Sequence, residues 1–105
     1  MKVTTILKSN NALTNKQGIR IRDRIFKKLY QGKRITVDCG GLIAITSQFL
    51  QPIILLLLPY PKDFRNNNIR FTNLSKSHTE LIRRNIRNIL IQLENDNKNI
   101  KRLLP

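Results

Sequence analysis

The stretch Ile35-Thr-Val-Asp-Cys-Gly-Gly-Leu-Ile-Ala-Ile-Thr-Ser-Gln-Phe-Leu50 reads as a short strand, a turn on Gly40 and Gly41, a polar step at Thr46 and Ser47, and the start of a helix. Ile35 and Val37 alternate with Thr36 and Asp38, the period of a strand with one buried face. A strand that ends in an acidic residue, turns on glycine and enters a helix through hydroxyl residues marks the working surface of many α/β proteins. The reason is that the first turn of a helix leaves backbone N–H groups unpaired.

Working outward, Val3 to Leu7 has the β-branched enrichment of a strand, broken by Ser9 to Asn11. Thr14 is placed to cap a helix over 15–31 that stops at Gly32. Ile19, Ile21, Ile25, Phe26, Leu29 and Tyr30 cover one half of that helix, and Arg20, Arg24, Lys27 and Lys28 the other. Gly18 falls in the apolar arc, where it would let the helix approach its sheet. Arg22 falls there too and must snorkel outward or meet a carboxylate. Lys33 to Cys39 forms the next strand, with Cys39 a small buried side chain at its end.

A second helix runs from Ser47 to about Leu58, with Pro52 in its first or second turn, and Pro59-Tyr-Pro61 stops it. Phe64 to Asn68 reads as loop with Asn66 to Asn68 at its tip, and Ile69 to Asn73 as a third strand. A last helix is expected from Lys76 to Glu94, with Ile82, Ile86, Ile89, Leu90 and Leu93 as its core face. The order β-α-β-α-β-α predicts a single layered α/β domain over 1–95 with a mostly parallel sheet and amphipathic helices, followed by a basic C-terminal tail, 96–105.

The chain has 105 residues, enough for one modest core. Lys and Arg number 20 against six acidic residues, a formal charge of +14. A field of that sign draws nucleic acid, anionic surfaces or acidic proteins. Cys39 is the single cysteine, so no internal disulfide can form, which fits a reducing compartment. The apolar run from Phe49 to Leu58 is about half the length of a membrane span. The N-terminus lacks the pattern of a secretory signal. These features point to a cytoplasmic protein without a membrane span.

Leu13-Thr14 before a basic helix, Val37-Asp38 with Gly41-Leu42, Ile45-Thr46-Ser47-Gln48-Phe49, and Ile69-Arg-Phe-Thr-Asn-Leu74 before a helix together resemble the small bacterial STAS-like domains related to anti-sigma-factor antagonists. The likeness spans roughly Leu13 to Leu90. It implies a non-catalytic regulatory module that docks a protein partner through the strand-to-helix loop 38–48. The partner would be a histidine-kinase-like ATPase or a larger complex. By position, Ser47 matches the serine phosphorylated in many antagonists. Those carry Asp before that serine and Ser-Gly-Leu after it; this chain has Thr46 before, and Gln48-Phe49-Leu50 after. The resemblance makes Asp38, Gly40, Gly41, Thr46, Ser47 and Gln48 the partner-binding surface. In the plainer reading Ser47 only caps its helix, and Asp38 only accepts hydrogen bonds from the glycine turn.

Catalysis finds no constellation to use. His78 is the single histidine, the carboxylates are too few and scattered for a metal site, and Gly40-Gly41 lacks the lysine of a phosphate loop. The expectation is therefore no enzyme, no metal and no cofactor. The alternative function is a nucleic-acid-binding accessory that uses Arg20, Arg24, Lys27 and Lys28 on the first helix and Lys76, Arg83, Arg84 and Arg87 on the last. The absence of Trp leaves base stacking to four Phe and two Tyr. A third reading is homo-oligomerisation through the apolar second helix and the segment Ile100 to Leu104.

Overall fold

A computed structural model describes the backbone of residues 1–103 and the side chains of residues 1–96. Among the described residues it is a mixed α/β fold with five helices and short parallel strands in two small sheets. In chain order the elements are α1 (Val3–Leu7), β1 (Asn11–Ala12), α2 (Asn15–Tyr30), β2 (Ile35–Asp38), β3 (Ala44–Ile45), α3 (Ser47–Leu57), α4 (Lys62–Asn68), β4 (Ile69–Thr72) and α5 (Lys76–Leu103).

All strand pairing is parallel. β2 pairs with β4 from Ile35↔Ile69 to Asp38↔Thr72, and Cys39 N–H extends the pairing to Thr72 O at 2.9 Å. The other edge of β2 is touched at a single bridge, Lys2↔Asp38. β1 pairs with β3 at Asn11↔Ala44 and Ala12↔Ile45. The expected parallel pairing is present, but divided between two pairs, and β1 and β3 are two residues long. Strands that short carry no readable alternation.

The expected first strand is instead the helix α1. Val3 and Leu7, four residues apart, are both buried on one side of a single helical turn, so a helical spacing wins over β-branched propensity. Lys8 closes the helix in the left-handed region at φ 53°. The stretch expected as a loop with an Asn tip is also helical. Pro61 precedes α4, Asn68 Nδ2 donates to Phe64 O at 2.8 Å, and Tyr60 stacks on Phe64 at 5.0 Å between centroids. Asparagine is a weak helix former, and these local contacts overcome it.

α2 forms where expected, and both ends are explained by its sequence. Thr14 Oγ1 accepts from Gln17 N–H at 3.1 Å, while Gln17 Oε1 accepts from Thr14 N–H at 3.0 Å, a reciprocal cap. At the other end Gly32 lies at φ 71°. Its N–H donates to Leu29 O, and Lys33 N–H donates to Lys28 O, the six-to-one closure that needs a left-handed residue.

The core is Ile21 and Ile25 of α2, both fully buried, against Phe49, Leu50, Ile53 and Ile54 of α3 and Ile35 and Val37 of β2. Gly18 is the point of closest approach, and its neighbour is α3 rather than a sheet. A Cβ there would overlap Phe49 O and come 2.8 Å from Pro52 Cγ. Pro52 sits in the second turn of α3 and has no N–H for Gln48 O. That carbonyl accepts instead from Asn15 Nδ2 at 3.4 Å, across the same interface. Arg22 resolves its place on α2 by pairing with Asp23 at 2.9 Å.

α5 packs on α3 through Leu81, Ile82, Ile86 and Ile89, all partly buried. A wholly apolar cavity of about 140 Å³ lies beneath it, lined by Leu57, Leu58, Phe71, Leu74, Ile82 and Ile86 among others. Leu90 and Leu93, expected in the core face, are 50% and 45% exposed. The helix continues past Glu94 to Leu103, through most of the segment expected as a tail. Leu104, Pro105 and the side chains of 97–103, including those proposed for self-association, lie outside the described residues. Among the described residues, no helix is long and apolar enough to cross a membrane.

Candidate functional site

The segment from Asp38 to Gln48 runs from the end of β2 through β3 into α3, and four neighbouring parts of the chain hold it. At its start Asp38 Oδ1 accepts two hydrogen bonds, from Gly40 N–H at 2.8 Å and from Asn73 Nδ2 at 2.9 Å. Asn73 occupies the left-handed region at φ 58°, which Asn tolerates better than most residues. These two donors, the Asn73 amide first and the Gly40 N–H second, hold the Asp38 carboxyl below its ordinary value, against an opposing effect of burial and with a further contribution from the Lys2 charge. Gly41 completes the turn at φ 84°. Asp38 does accept from the glycine turn, and it also ties that turn to the end of β4.

Cys39 is buried, with its Sγ facing Val37 O at 3.9 Å. Burial, with the adjacent Asp38 charge, pushes its thiol up to about 11. A thiol so rarely ionised is a packing residue and a poor nucleophile.

The middle of the segment is fixed through its backbone. Ile43 N–H donates to Asn10 O at 2.7 Å, and His78 Nε2 donates to Ile43 O at 3.2 Å. His78 is itself set in the first turn of α5, where its N–H donates to Ser75 Oγ at 3.1 Å. The Ile43 side chain is nevertheless 71% exposed. Sequence reading missed Ile43, Asn73 and His78 as parts of one place, because nothing local indicates that β4 and α5 fold back over the turn.

At the far end Thr46, and not Ser47, is the cap of α3. Thr46 Oγ1 accepts from Phe49 N–H at 3.3 Å and donates to Leu13 O at 2.6 Å. Ser47 is the first helical residue, exposed, and among the described residues its hydroxyl makes no hydrogen bond. Ser47 and Gln48 line a shallow depression of mixed character with Gln51 of α3 and Asn85, Asn88, Ile89 and Gln92 of α5. The six expected partner-binding residues thus fall into a turn (Asp38, Gly40, Gly41), a cap (Thr46) and a depression (Ser47, Gln48).

The basic residues also separate. Arg24, Lys27 and Lys28 of α2 line a cleft with Lys2 and Lys33, which sequence reading did not join to them. Arg20 is directed to α1, its Nη2 donating to Ile6 O at 3.0 Å. Arg83 and Arg87 line a different depression that includes Glu94, and Lys76 and Arg84 are exposed elsewhere on α5. Among the described residues, no three His, Cys, Asp or Glu side chains gather as metal ligands would.

No curated protein and no solved structure matches the chain. Residues 17–79, more than half of it, match the family described as a STAS-like domain of unknown function. The match runs from the first turn of α2 to the first turn of α5 and so contains the whole segment 38–48. With parallel strands, a glycine turn after β2 and a hydroxyl-capped helix after β3, this protein belongs to that STAS-like family.

Proposed function

We propose that the protein is a non-catalytic regulatory module that docks a protein partner through the segment 38–48. The observation that carries this reading is Ile43, a large apolar side chain 71% exposed on a backbone bonded on both sides. A loop fixed in advance loses little conformational entropy on binding, so its exposed groups contribute more fully to affinity. The Asp38–Asn73 bond and the Thr46–Leu13 bond fix the two ends of the same segment. Family membership supports the reading, since STAS-like domains resemble antagonists that act by docking.

In this reading Ser47 is the phosphoacceptor and the partner is a kinase-type ATPase or a complex containing one. Because Thr46 performs the capping, the Ser47 hydroxyl is free to be modified without loss of the helix. A phosphate there would add nearly two negative charges at a helix N-terminus, favourable for the helix and disruptive to a docked apolar surface. The test is affinity capture from a lysate of the source cells with wild type, Ile43→Asp and Ser47→Asp, each checked for unchanged thermal unfolding. A protein retained at high salt by wild type and lost with both variants supports the reading. Equal retention by all three removes it.

A further inference from the structure

Lys2, Arg24, Lys27, Lys28 and Lys33 line one cleft between α1 and the second half of α2, together with Thr5, Ile6 and Gln31. All five cations are exposed, and among the described residues none forms a salt bridge. The cleft has no acidic residue in its lining, unlike the depression on α5 that includes Glu94. Five like charges around one concavity repel each other, and an anionic chain laid along them relieves that repulsion while releasing its own counterions.

Two aromatic rings lie on α2 outside the lining of the cleft. Phe26 and Tyr30 lie one helical turn apart, with ring centroids 6.2 Å apart, and are 48% and 84% exposed. Tyr30 follows Lys27 by three residues, which makes them neighbours on the α2 surface. Neither ring is needed by the core, which α2 builds with Ile21 and Ile25. Cations in a groove and an exposed aromatic face beside one of them are the two elements that single-stranded nucleic acid engages, through its phosphates and its unpaired bases. A planar lipid surface matches this arrangement less well, because the cations line a concavity that a bilayer cannot enter.

We propose that the cleft between α1 and α2 binds single-stranded nucleic acid, with Arg24, Lys27, Lys28, Lys2 and Lys33 on the phosphates and Tyr30 stacked on a base. Apart from the bridge of Lys2 to Asp38, this surface lies outside the segment 38–48, and its binding does not depend on that segment's role.

The test uses fluorescence anisotropy of labelled oligothymidylate, with the matching duplex and phosphatidylglycerol vesicles as comparisons. Arg24→Gln/Lys27→Gln/Lys28→Gln should weaken single-strand binding at least tenfold and flatten the slope of log K against log salt by about two. Arg83→Gln/Arg84→Gln/Arg87→Gln, which removes the same charge from α5, should weaken it far less. Tyr30→Ala should lower single-strand affinity about tenfold and leave duplex binding unchanged. All these positions are exposed, so circular dichroism and thermal unfolding should match wild type. Equal weakening by the two triple variants, an inert Tyr30→Ala, or tighter binding to the vesicles than to the oligonucleotide would each overturn the proposal.

Discussion

Asn73 donates its side-chain amide to Asp38 Oδ1 at 2.9 Å from a left-handed backbone, and so joins the C-terminal ends of β2 and β4. Two parallel strands of four residues have little stability alone. A charge-assisted bond at their shared end keeps them in register where the turn 39–41 begins.

A pH dependence follows from this bond. The Asp38 carboxyl titrates below its ordinary value of 3.8 in the folded protein. Its contribution to stability is therefore present above about 3.8 and lost as pH falls through the lower folded value. Asp38→Asn should be less stable than wild type at neutral pH, and the gap should close in strong acid. Urea denaturation at several pH values checks this, and a gap independent of pH would contradict it.

The caps of α3 give a paired prediction. Thr46→Ala removes both an acceptor for Phe49 N–H and the donor to Leu13 O, and should cost about 1–2 kcal/mol. Ser47→Ala, at an exposed first helical position, should fall within about 0.5 kcal/mol of wild type. Thermal or urea unfolding of the two variants side by side would reveal a reversed order if Ser47 were the cap.

Two glycines should respond to alanine for different reasons. Gly18→Ala gains about 1 kcal/mol of helix propensity but drives a methyl into the Phe49 carbonyl and Pro52. A net loss of about 1–3 kcal/mol is expected, because backbone cannot yield as a side chain can. At Gly32 an added Cβ meets open space, and the cost is only the left-handed backbone, about 1–2 kcal/mol. A second substitution, Pro52→Ala, should relieve part of the first loss and none of the second, as measured by double-mutant denaturation.

Cys39 should be inert while the protein is folded. With a buried thiol raised to about 11, a maleimide at neutral pH should label it at the rate of global or local opening and not at the rate of a free thiol. Denaturant should restore full reactivity, and rapid labelling of the native protein would show that the end of β2 is open.

How much of this was legible in the sequence depended on local signals. Thr14, Gly32 and the repeating Ile21–Ile25 spacing wrote α2 almost to the residue, because caps and a 3.6-residue period act within one helix. Ile35 to Asp38 and Ile69 to Thr72 were readable as strands from equally local signals, in the first case the alternation of Ile35 and Val37 with Thr36 and Asp38. Val3 to Leu7 reads as a strand and Phe64 to Asn68 as a loop, but both are helical, since burial of Val3 and Leu7 and contacts such as Asn68 with Phe64 outweigh propensity. At the candidate site the turn, the hydroxyl step and Asp38 were evident. Asn73 and His78 were not, because they reach Asp38 and Ile43 only after β4 and α5 return across more than 30 residues. The exchange of roles between Thr46 and Ser47 was hidden too, since either hydroxyl could cap and the choice depends on Leu13 O.

The contact of Gly18 with the backbone of α3 has a mechanical consequence. α2 and α3 pack largely through side chains such as Ile21, Ile25, Phe49 and Ile53, whose rotamers can adjust, but at Gly18 the contact is with a carbonyl and a proline ring that have no such freedom. The pair should therefore move as one stiff block, with Asn15 and Gln48 fastened at the same end. The two surfaces proposed for this small domain would then share one rigid support.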